Sequence, residues 1–582
     1  MSISKILFPD FHKDIQSDYL ANIPSRSWQV ITRFAPSPTG FLHIWWVYTS
    51  LISQYFAHQN DGKFILRIED TDQNRKIENW TQQIVQELAG FGIIADEGPF
   101  LQTDGSIKYI WDHWPYIQSE RLDSYLAMAC KMLDMWLAYP CFLTSEELDE
   151  IRKIQTVSKQ PTGIYGHFSK CRNLTTEQIQ DFVNAGKTFV IRLKSPAKLW
   201  DRTSFHDLVK WFIEIDDNFE DVILLKSDGF PTYHFAHIVD DYMMGTSHVI
   251  RTDERLASAP KHIQIYNILL NAWILNAPIW KYAHASPVMK NDNGNRRKLS
   301  KRKDPEAKAS FFTDVGYPIW AVREYLLTII DTKYNDAKSK DINAVYGIMD
   351  FANFSTAGAI MDIQKLDHFS AEYIYAMDLD LLVNDFAKYI NNFDSNKFES
   401  NLDLQNEEIY KYISSLKLLK TNLSDSSFIV YLKNILSFDR DKKSHKNYLD
   451  IVLYILPFVD EYFNNIDYMD SLTSSPIGSD IQQAFKPEYM AYAYNIFDEN
   501  WVLNITKEKR FEDLKWFATK YNIALTNWQF KEWEASWNLY IAKIWDLAAL
   551  LRIYIYGSTT SPDLYNMIWV IGRDKVLKRL SK

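Results

Sequence analysis

A strand, a helix and a second strand near the start of the chain constrain its fold more than any other feature. Residues 29–34 are rich in strand-forming types, and after a loop with two prolines a helical pattern runs to about Gln59. Asn60-Asp-Gly62 predicts the helix end, with Gly62 left-handed, and the apolar run Lys63–Glu69 predicts a parallel strand. In such a βαβ unit, the loop after the first strand faces the sheet edge at which nucleotides bind.

Length and charge set limits on the rest of the molecule. A chain of 582 residues is too long for one core and predicts roughly three to five domains. No apolar run is long enough to cross a membrane, and residues 1–27 lack the layout of a secretory signal, so we expect a cytoplasmic protein. The net charge of −10 argues against indiscriminate nucleic-acid binding but is compatible with a local basic groove.

Two short segments, far apart in the chain, carry the chemistry. The first is Arg33-Phe-Ala-Pro-Ser-Pro-Thr-Gly-Phe-Leu-His43-Ile44, in the βαβ unit, and the second is Lys298-Leu-Ser-Lys-Arg302. Together they resemble the two nucleotide-binding motifs of class I aminoacyl-tRNA synthetases, HIGH and KMSKS, in the wording of bacterial glutamyl-tRNA synthetases. The stretch Val570–Leu580 also resembles that family, so the resemblance spans nearly the whole chain.

The resemblance implies an α/β fold followed by all-α domains. We expect a Rossmann-type nucleotide-binding domain with an inserted acceptor-stem-binding domain, then a stem-contact region and helical anticodon-binding domains. The expected boundaries are 27–125 and 229–285 for the catalytic domain, 126–228 for the insertion, 286–385 for the stem-contact region and 386–582 for the anticodon-binding region.

The implied reaction joins glutamate to tRNA at the expense of ATP. The glutamate carboxylate attacks the α-phosphate, and the glutamyl group then passes to the tRNA 3′ end, so the protein must hold two anions in line. We expect His43 to donate to phosphate oxygens, and Lys298 and Lys301 to face the leaving pyrophosphate. By resemblance, the catalytic and ATP-binding residues are His43, Glu254, Lys298, Ser300 and Lys301.

Recognition of glutamate requires cations for its two carboxylates and an acceptor for its ammonium group. Arg33 and Arg251 can supply guanidinium groups, and Glu69 can accept the ammonium. A purely structural alternative for Arg251 is an ion pair with Asp240 or Asp241. By resemblance, the glutamate-binding residues are Arg33, Ser37, Glu69, Tyr233, His237 and Arg251.

Cysteine usage bears on metals and redox chemistry. Cys130, Cys141 and Cys171 are too few for a disulfide framework, and Leu143 and Asn173 stand where some glutamyl-tRNA synthetases carry further zinc ligands. We therefore expect no structural zinc, and Mg²⁺ held largely by ATP phosphates and water. The expected partners are L-glutamate and tRNA-Glu, with the charging of tRNA-Gln left open, and we expect a monomer without membrane contact.

Tryptophan stands at several positions where glycine is physically wanted. Glycine at about 7% of average usage predicts about 41 residues in a chain of this length, but the sequence has 18 glycines and 19 tryptophans. Trp45 follows His43-Ile44, and Trp136 follows a helix end where a left-handed residue is expected. We hypothesise that the source reads UGA as glycine and that translation wrote tryptophan at Trp45, Trp46, Trp80, Trp111, Trp114, Trp136, Trp211 and Trp273.

Two other functions stay open on sequence grounds. If the tryptophans are real, Trp45 makes the chain a pseudo-synthetase that binds tRNA but has lost ATP. The second alternative is a shorter type of enzyme that glutamylates a tRNA base. That type resembles only the catalytic half, so the long helical C-terminal region argues against it.

Overall fold

A computed structural model of the chain describes most residues up to 392. The described ranges are 2–21, 29–37, 42–72, 80–102, 105–110, 115–276, 280–292, 294–300, 303–334 and 349–392, with short stretches beyond. They divide into two compact units, Met1–Phe311 with Val322–Asp362 and Phe312–Ala321 with Ile363–Lys582. Several positions named above lie outside the described residues, namely 38–41, Trp111, Trp114, Lys301, Arg302, 570–576 and 578–580.

The first part of the chain holds the predicted βαβ unit and a run of mixed elements. In chain order these are α1 (Ile3–Leu7), β1 (Ile31–Phe34), α2 (Ile44–His58), β2 (Lys63–Leu66), α3 (Trp80–Gly90), β3 (Gly98–Leu101), β4 (Ile107–Ile110), α4 (Leu122–Asp134), β5 (Ala138–Cys141), α5 (Ser145–Val157), α6 (Thr176–Asn184), β6 (Val190–Leu193), β7 (Arg202–Asp207), β8 (Trp211–Asp216) and β9 (Ile223–Leu225).

After residue 230 the described elements are first the remaining strands of the parallel sheet and then mainly helices. They are α7 (Tyr233–Met243), β10 (His248–Thr252), α8 (Ala259–Asn271), β11 (Lys281–Ala285), β12 (Val288–Asp292), β13 (Asn295–Lys298), α9 (Ala309–Val315), α10 (Ile319–Ile330), β14 (Ala359–Ile360), α11 (Ile363–Ala376), α12 (Leu379–Asn392), β15 (Ile523–Ala524) and β16 (Ala542–Lys543). Within the part of the chain that the structure describes, no helix is long and apolar enough to span a membrane.

A parallel sheet is assembled from strands on both sides of the insertion. β1 pairs with β2 in parallel, and β10 pairs with β11 in parallel. The two pairs meet where Ser247 N donates to Ile31 O at 2.9 Å. The carboxyl ends of β1, β2 and β10 therefore lie at one edge of a Rossmann-type sheet, as predicted.

The inserted segment is joined to this sheet rather than only appended to it. β7 and β8 form an antiparallel hairpin, and β7 pairs with β11 in parallel through Asp207 and Tyr282. β5, β6 and β9 form a separate antiparallel sheet. Leu133 and Leu224, both within residues 126–228, share one buried apolar cluster with Phe235 of α7.

The end of α2 corrects one expectation. α2 ends at His58, and Asp61, not Gly62, adopts the left-handed conformation, with φ of 51°. Glycine is required at 62 for a different reason, because a Cβ there would lie 2.0 Å from Val30 O. The close approach of two backbone segments, and not the helix cap, explains this residue.

Four tryptophans adopt a left-handed backbone. The φ angles of Trp136, Trp200, Trp211 and Trp273 are 60°, 79°, 65° and 57°. Among the described residues only two other non-glycine positions have positive φ. The left-handed conformation expected at Trp136 is confirmed, whereas Trp200 had not been singled out from the sequence.

Candidate active site

His43 lies at the start of α2, at the carboxyl edge of the parallel sheet. Its Nδ1 accepts a hydrogen bond from Trp45 N at 3.3 Å, so the side chain caps its own helix. The residue is only 1% exposed. The unpaired N–H groups of a helix N-terminus attract phosphate, and His43 therefore stands at a place suited to a nucleotide.

Backbone contacts join the stretch that follows the second signature segment to the end of the first. Ala309 N donates to Leu42 O at 2.9 Å, and Lys308 forms a β-bridge with His43. Lys298 closes β13, shortly before this contact. The described residues on both sides of Lys301 thus come from elements that adjoin the start of α2.

The indole of Trp45 fills the gap between the two segments. Its centroid lies 4.5 Å from that of the His43 ring, and Lys298 Nζ lies 4.0 Å above it. Lys298 also forms an ion pair with Glu254. Three of the predicted ATP-binding residues, His43, Glu254 and Lys298, are therefore brought together, but around a tryptophan side chain.

Asp304 holds the segment that carries the second signature. Its buried carboxylate accepts two hydrogen bonds from Arg297, at 2.6 and 2.7 Å, and one from Ser300 N at 2.8 Å. Lys290 Nζ donates at 3.3 Å. Hydrogen bonds, of which those from Arg297 have the largest effect, hold the pKa of Asp304 well below its usual range. The carboxylate is therefore charged and fixes the position of this segment. In the sequence Asp304 is one more polar loop residue, and only its burial reveals this role.

Arg33 and Glu69 belong to one buried ion network. Arg33 Nε lies 3.2 Å from both carboxylate oxygens of Asp241. Arg67 donates to Asp241 at 2.6 Å and to Glu69 at 2.9 Å. Burial raises the pKa of Glu69, and the adjacent Arg67 opposes that shift. Sequence reasoning missed Arg67, although an arginine inside an apolar strand is a recognisable signal of a buried charge with a partner.

Arg251 is held by histidines and not by the aspartates considered from sequence. Its Nε donates to His284 at 2.9 Å, and its Nη1 lies 3.0 Å from His262 Nδ1. Asp241 is bonded to Arg33 instead. Within the described residues, Arg251 Nη2 is buried without a hydrogen-bond partner. The proposed pairing of Arg251 with Asp240 or Asp241 is therefore wrong.

Tyr233 and His237 lie one helical turn apart on α7. Their rings stack with centroids 5.9 Å apart, and His237 Nδ1 lies 3.1 Å from Asp241. Burial, with Arg33 and Arg251 nearby, lowers the pKa of His237 well below its ordinary value, so the ring is neutral. A neutral ring at this place can accept or donate a hydrogen bond without adding charge.

The structure thus forms two neighbouring side-chain clusters in one unit. The first contains Arg33, Glu69, Tyr233, His237 and Arg251, and the second contains His43, Glu254 and Lys298. Ser37 follows Pro36, whose carbonyl oxygen accepts from Glu69 N at 2.9 Å, and Ser300 donates its backbone N–H to Asp304. The first cluster is suited to an amino acid with two carboxylates, and the second is suited to a phosphate chain.

The two cysteines nearest a potential zinc site contact each other. A hydrogen bond with Cys171 lowers the pKa of Cys141 to about 6. Cys130 lies on α4, where burial raises its pKa to about 12. Over the described ranges, no three His, Cys, Asp or Glu side chains are grouped so that they could hold a metal ion.

Known proteins resemble this chain over its whole length. The family of class I tRNA synthetases (E and Q), catalytic domain, matches residues 29–368, and an anticodon binding domain matches residues 489–582. The glutamate–tRNA ligase of Clostridium perfringens (strain SM101 / Type A) is 32% identical over 100% of this chain and 99% of its own length. That of Treponema denticola is 40% identical over 60% of this chain and 64% of its own.

Solved structures show the same fold. A glutamate tRNA ligase from Elizabethkingia meningosepticum, crystallised in complex with its amino acid, superposes with a TM-score of 0.68 at 24% identity, covering 95% of this chain and 98% of its own. The similarity in sequence extends over the full length of the Clostridium enzyme. This chain therefore belongs to the glutamate–tRNA ligases of the class I tRNA synthetases.

Proposed function

We propose that the chain activates L-glutamate with ATP and transfers the glutamyl group to the 3′ end of tRNA-Glu, using the two clusters described above. The observation that supports the proposal is the backbone contact of Leu42, in the first signature segment, with Ala309, which follows the second segment, beside the carboxyl edge of the sheet. The glutamate-binding cluster lies at the same edge, on β1, on β10 and just after β2.

Charge supports glutamate as the amino acid. The buried guanidinium group of Arg251 is bonded to the neutral rings of His262 and His284 and, among the described residues, to no carboxylate. Glutamate offers carboxylates of the opposite charge. Arg251 Nη2, buried without a partner in the described structure, is the donor that we assign to a substrate carboxylate.

In the first step a glutamate α-carboxylate oxygen attacks the α-phosphorus, and the bond to the bridging oxygen breaks, so that pyrophosphate leaves. His43, Lys298 and Lys301 stabilise the negative charge on the phosphates. In the second step a hydroxyl of the terminal tRNA ribose attacks the glutamyl carbonyl carbon and releases AMP. Glu69 receives the substrate ammonium throughout.

Mg²⁺ would accompany ATP, bound to phosphate oxygens and water, and would add positive charge to the leaving group. Glu254 is the carboxylate nearest Lys298 that could bind one of its waters. We also propose the domain boundaries given above for acceptor-stem, stem-contact and anticodon recognition, with the protein acting as a monomer.

One observation favours a second candidate function. The Trp45 indole occupies the space between His43 and Lys298. A protein that keeps this side chain would bind tRNA without activating glutamate.

The test is ATP–pyrophosphate exchange with glutamate and tRNA present, followed by aminoacylation of tRNA-Glu and tRNA-Gln. The chain as printed is compared with its Trp45→Gly variant. The expected result is that the variant catalyses exchange and charges tRNA-Glu. Charging of both tRNAs would show that tRNA-Gln is also a substrate. Tight tRNA binding with no exchange in either protein would favour the pseudo-synthetase.

A further inference from the structure

We propose that His284, oriented by Asp207, and His262 are positioning residues that aim Arg251 at a carboxylate of the substrate. The proposal rests on the proposed function and extends it to residues that sequence reasoning did not assign. Neither histidine needs to touch glutamate, because both act through the guanidinium group.

A continuous chain of buried hydrogen bonds connects these residues. His284 Nδ1 lies 2.6 Å from Asp207 Oδ2, and Arg251 Nε donates to His284 Nε2 at 2.9 Å. On the other side, Arg251 Nη1 lies 3.0 Å from His262 Nδ1. The chain continues to His234, whose Nδ1 lies 3.1 Å from His262 Nε2.

The donors and acceptors agree with only one set of tautomers. A guanidinium group can only donate, so the ring nitrogens that face Arg251 must be unprotonated and accept with their lone pairs. His284 therefore carries its proton on Nδ1 and donates it to Asp207. His262 carries its proton on Nε2 and donates it to His234. Burial lowers the pKa of His284 to about 4, so the neutral form that this arrangement requires is present at neutral pH.

These contacts leave one edge of the guanidinium for a ligand. Nε and Nη1 are each bonded to a histidine, and the ring of Tyr282 lies 4.7 Å from Arg251 Cζ, which fixes the plane of the group. Nη2 is buried and has no partner within the described residues. A donor that is fixed, desolvated and unpaired is prepared for a carboxylate before the substrate arrives.

The sharpest variant is Asp207→Asn. The asparagine amide donates to His284 Nδ1, which moves the ring proton to Nε2 and sets it against Arg251 Nε–H. The expected result is a roughly 10- to 100-fold weaker glutamate affinity by calorimetry, with the same rise in KM for glutamate and an unchanged KM for ATP. His284→Gln, which keeps an acceptor for Arg251, should retain most of the affinity.

His248→Gln is the matched control. His248 is a buried histidine on the same strand as Arg251, bonded to Ser247 and outside the network. An Asp207→Asn protein with glutamate affinity equal to that of this control would overturn the proposal, as would an equal rise in both KM values. All of these variants are made in the Trp45→Gly protein, and absence of exchange in that parent would count instead against the proposed function.

A different observation carries a second inference. We infer that the left-handed tryptophans are glycines in the natural protein, encoded by UGA. Trp136 N donates to Leu133 O and the next residue to Met132 O, and Trp273 repeats this pattern at the end of α8. These are the paired hydrogen bonds of a helix end whose left-handed residue is usually glycine.

The same helix end, with glycine in place, recurs elsewhere in the chain. Gly92, Gly186 and Gly245 have φ of 65°, 68° and 65° and make the same pair of hydrogen bonds. The two remaining tryptophans occupy turns. Trp200 is the third residue of a turn closed by Asp201 N and Lys198 O. Trp211 ends the tight turn between β7 and β8.

The side chains at these four places make only surface contacts: Lys194 Nζ lies 4.8 Å from the Trp136 ring centroid, and the His206 ring lies edge-on to Trp211 at 6.3 Å. All four are exposed, with Trp273 at 88% and Trp200 at 79%. Trp280, by contrast, is 6% exposed and packs edge-on against Tyr266 at 4.8 Å. Trp280 therefore serves as the internal control for a real tryptophan.

The gene and the natural protein decide the question. We expect UGA at 136, 200, 211 and 273 and UGG at 280, and peptides of the natural protein should contain glycine at the four positions and tryptophan at 280. UGG at the four positions, or tryptophan in those peptides, would overturn the inference. It extends to Trp45, where glycine would open the space between His43 and Lys298.

Discussion

At the residue scale, the positive charges of the candidate site are of two kinds. Arg33 and Arg251 are buried, and each is hydrogen-bonded to a protein acceptor before any substrate arrives. Lys298 is more exposed, at the end of a hairpin strand. Under the proposed function, recognition of glutamate would depend on preset donors, whereas neutralisation of the phosphates would depend on more exposed ammonium groups.

Lys301→Ala should lower adenylate formation roughly 10²- to 10³-fold, the scale of losing one preorganised charge contact. Pyrophosphate exchange measures the loss, and the thermal midpoint should hardly change. Lys303→Ala is the matched control, because Lys303 is an exposed lysine two positions later. Equal exchange rates in the two variants would remove Lys301 from the site.

The sequence predicted candidate site residues that lie in or near recognisable motifs, and others that match the family resemblance. Arg33 and Glu69 follow from the βαβ unit and the first signature. Asp207 and His284 could not be found in this way, because they meet across a separation of 77 residues and only the closed sheet brings them together. Their chemistry depends on a tautomer, which no sequence pattern encodes.

At the scale of secondary-structure elements, the helix ends are the most sensitive parts of the chain. Trp273→Gly should raise the free energy of unfolding by about 0.5 to 1 kcal/mol, because relief of the left-handed strain exceeds the added entropy of the unfolded chain. Gly186→Ala should lower it by a similar amount, since no atom within 4 Å would meet the new Cβ and only the backbone conformation, φ 68°, is at issue.

Urea unfolding of both variants and of the parent protein measures the two changes in the free energy of unfolding. The dependence of that free energy on urea concentration should stay unchanged. A less stable Trp273→Gly protein would show that the indole has a stabilising contact.

Elements with strong local patterns were predicted well, including the parallel pairing of β1 with β2, whereas the pairing of β7 was not. β1, α2 and β2 follow from the apolar periodicity and the turn residues. That β7 would join the parallel sheet through Asp207 and Tyr282 depends on packing between distant segments, which periodicity does not report.

At the scale of the whole molecule, buried histidines set the dependence of stability on pH. Burial lowers the pKa of His234, His248 and His284 to about 4. It lowers the pKa of His237 and His262 well below the ordinary value. They are neutral when folded and protonated when unfolded below about pH 6.5, so unfolding takes up protons there.

The contribution of these histidines to the free energy of unfolding should therefore be constant above about pH 6.5. Below that pH the free energy of unfolding should fall, by up to about 1.4 kcal/mol per pH unit for each histidine. Urea unfolding at pH 7.5, 6 and 5 measures this, and His248→Gln should give a shallower slope. A stability that does not change between pH 7.5 and 5 would contradict the assignment of neutral histidines.

Metal removal is expected to leave the fold intact. Cys141 and Cys171 supply two thiols, and a structural zinc requires about four ligands. The thermal midpoint with and without EDTA should agree, and elemental analysis should find no zinc in proportion to protein. A stoichiometric zinc that EDTA removes together with stability would show that the pair has further ligands.

The join between β1 and β10 also has a consequence for the order of folding. Ile31 N donates to the Ser247 side chain across 216 residues of chain, so the nucleotide-binding sheet cannot close until the whole insertion has been synthesised. Lengthening such a loop adds little free-energy cost, because closure entropy grows only with the logarithm of the loop length. Pairing between distant segments nevertheless slows folding. A nascent chain stopped before residue 247 would hold β1 and β2 with one edge uncovered, a surface for a chaperone to protect until β10 emerges.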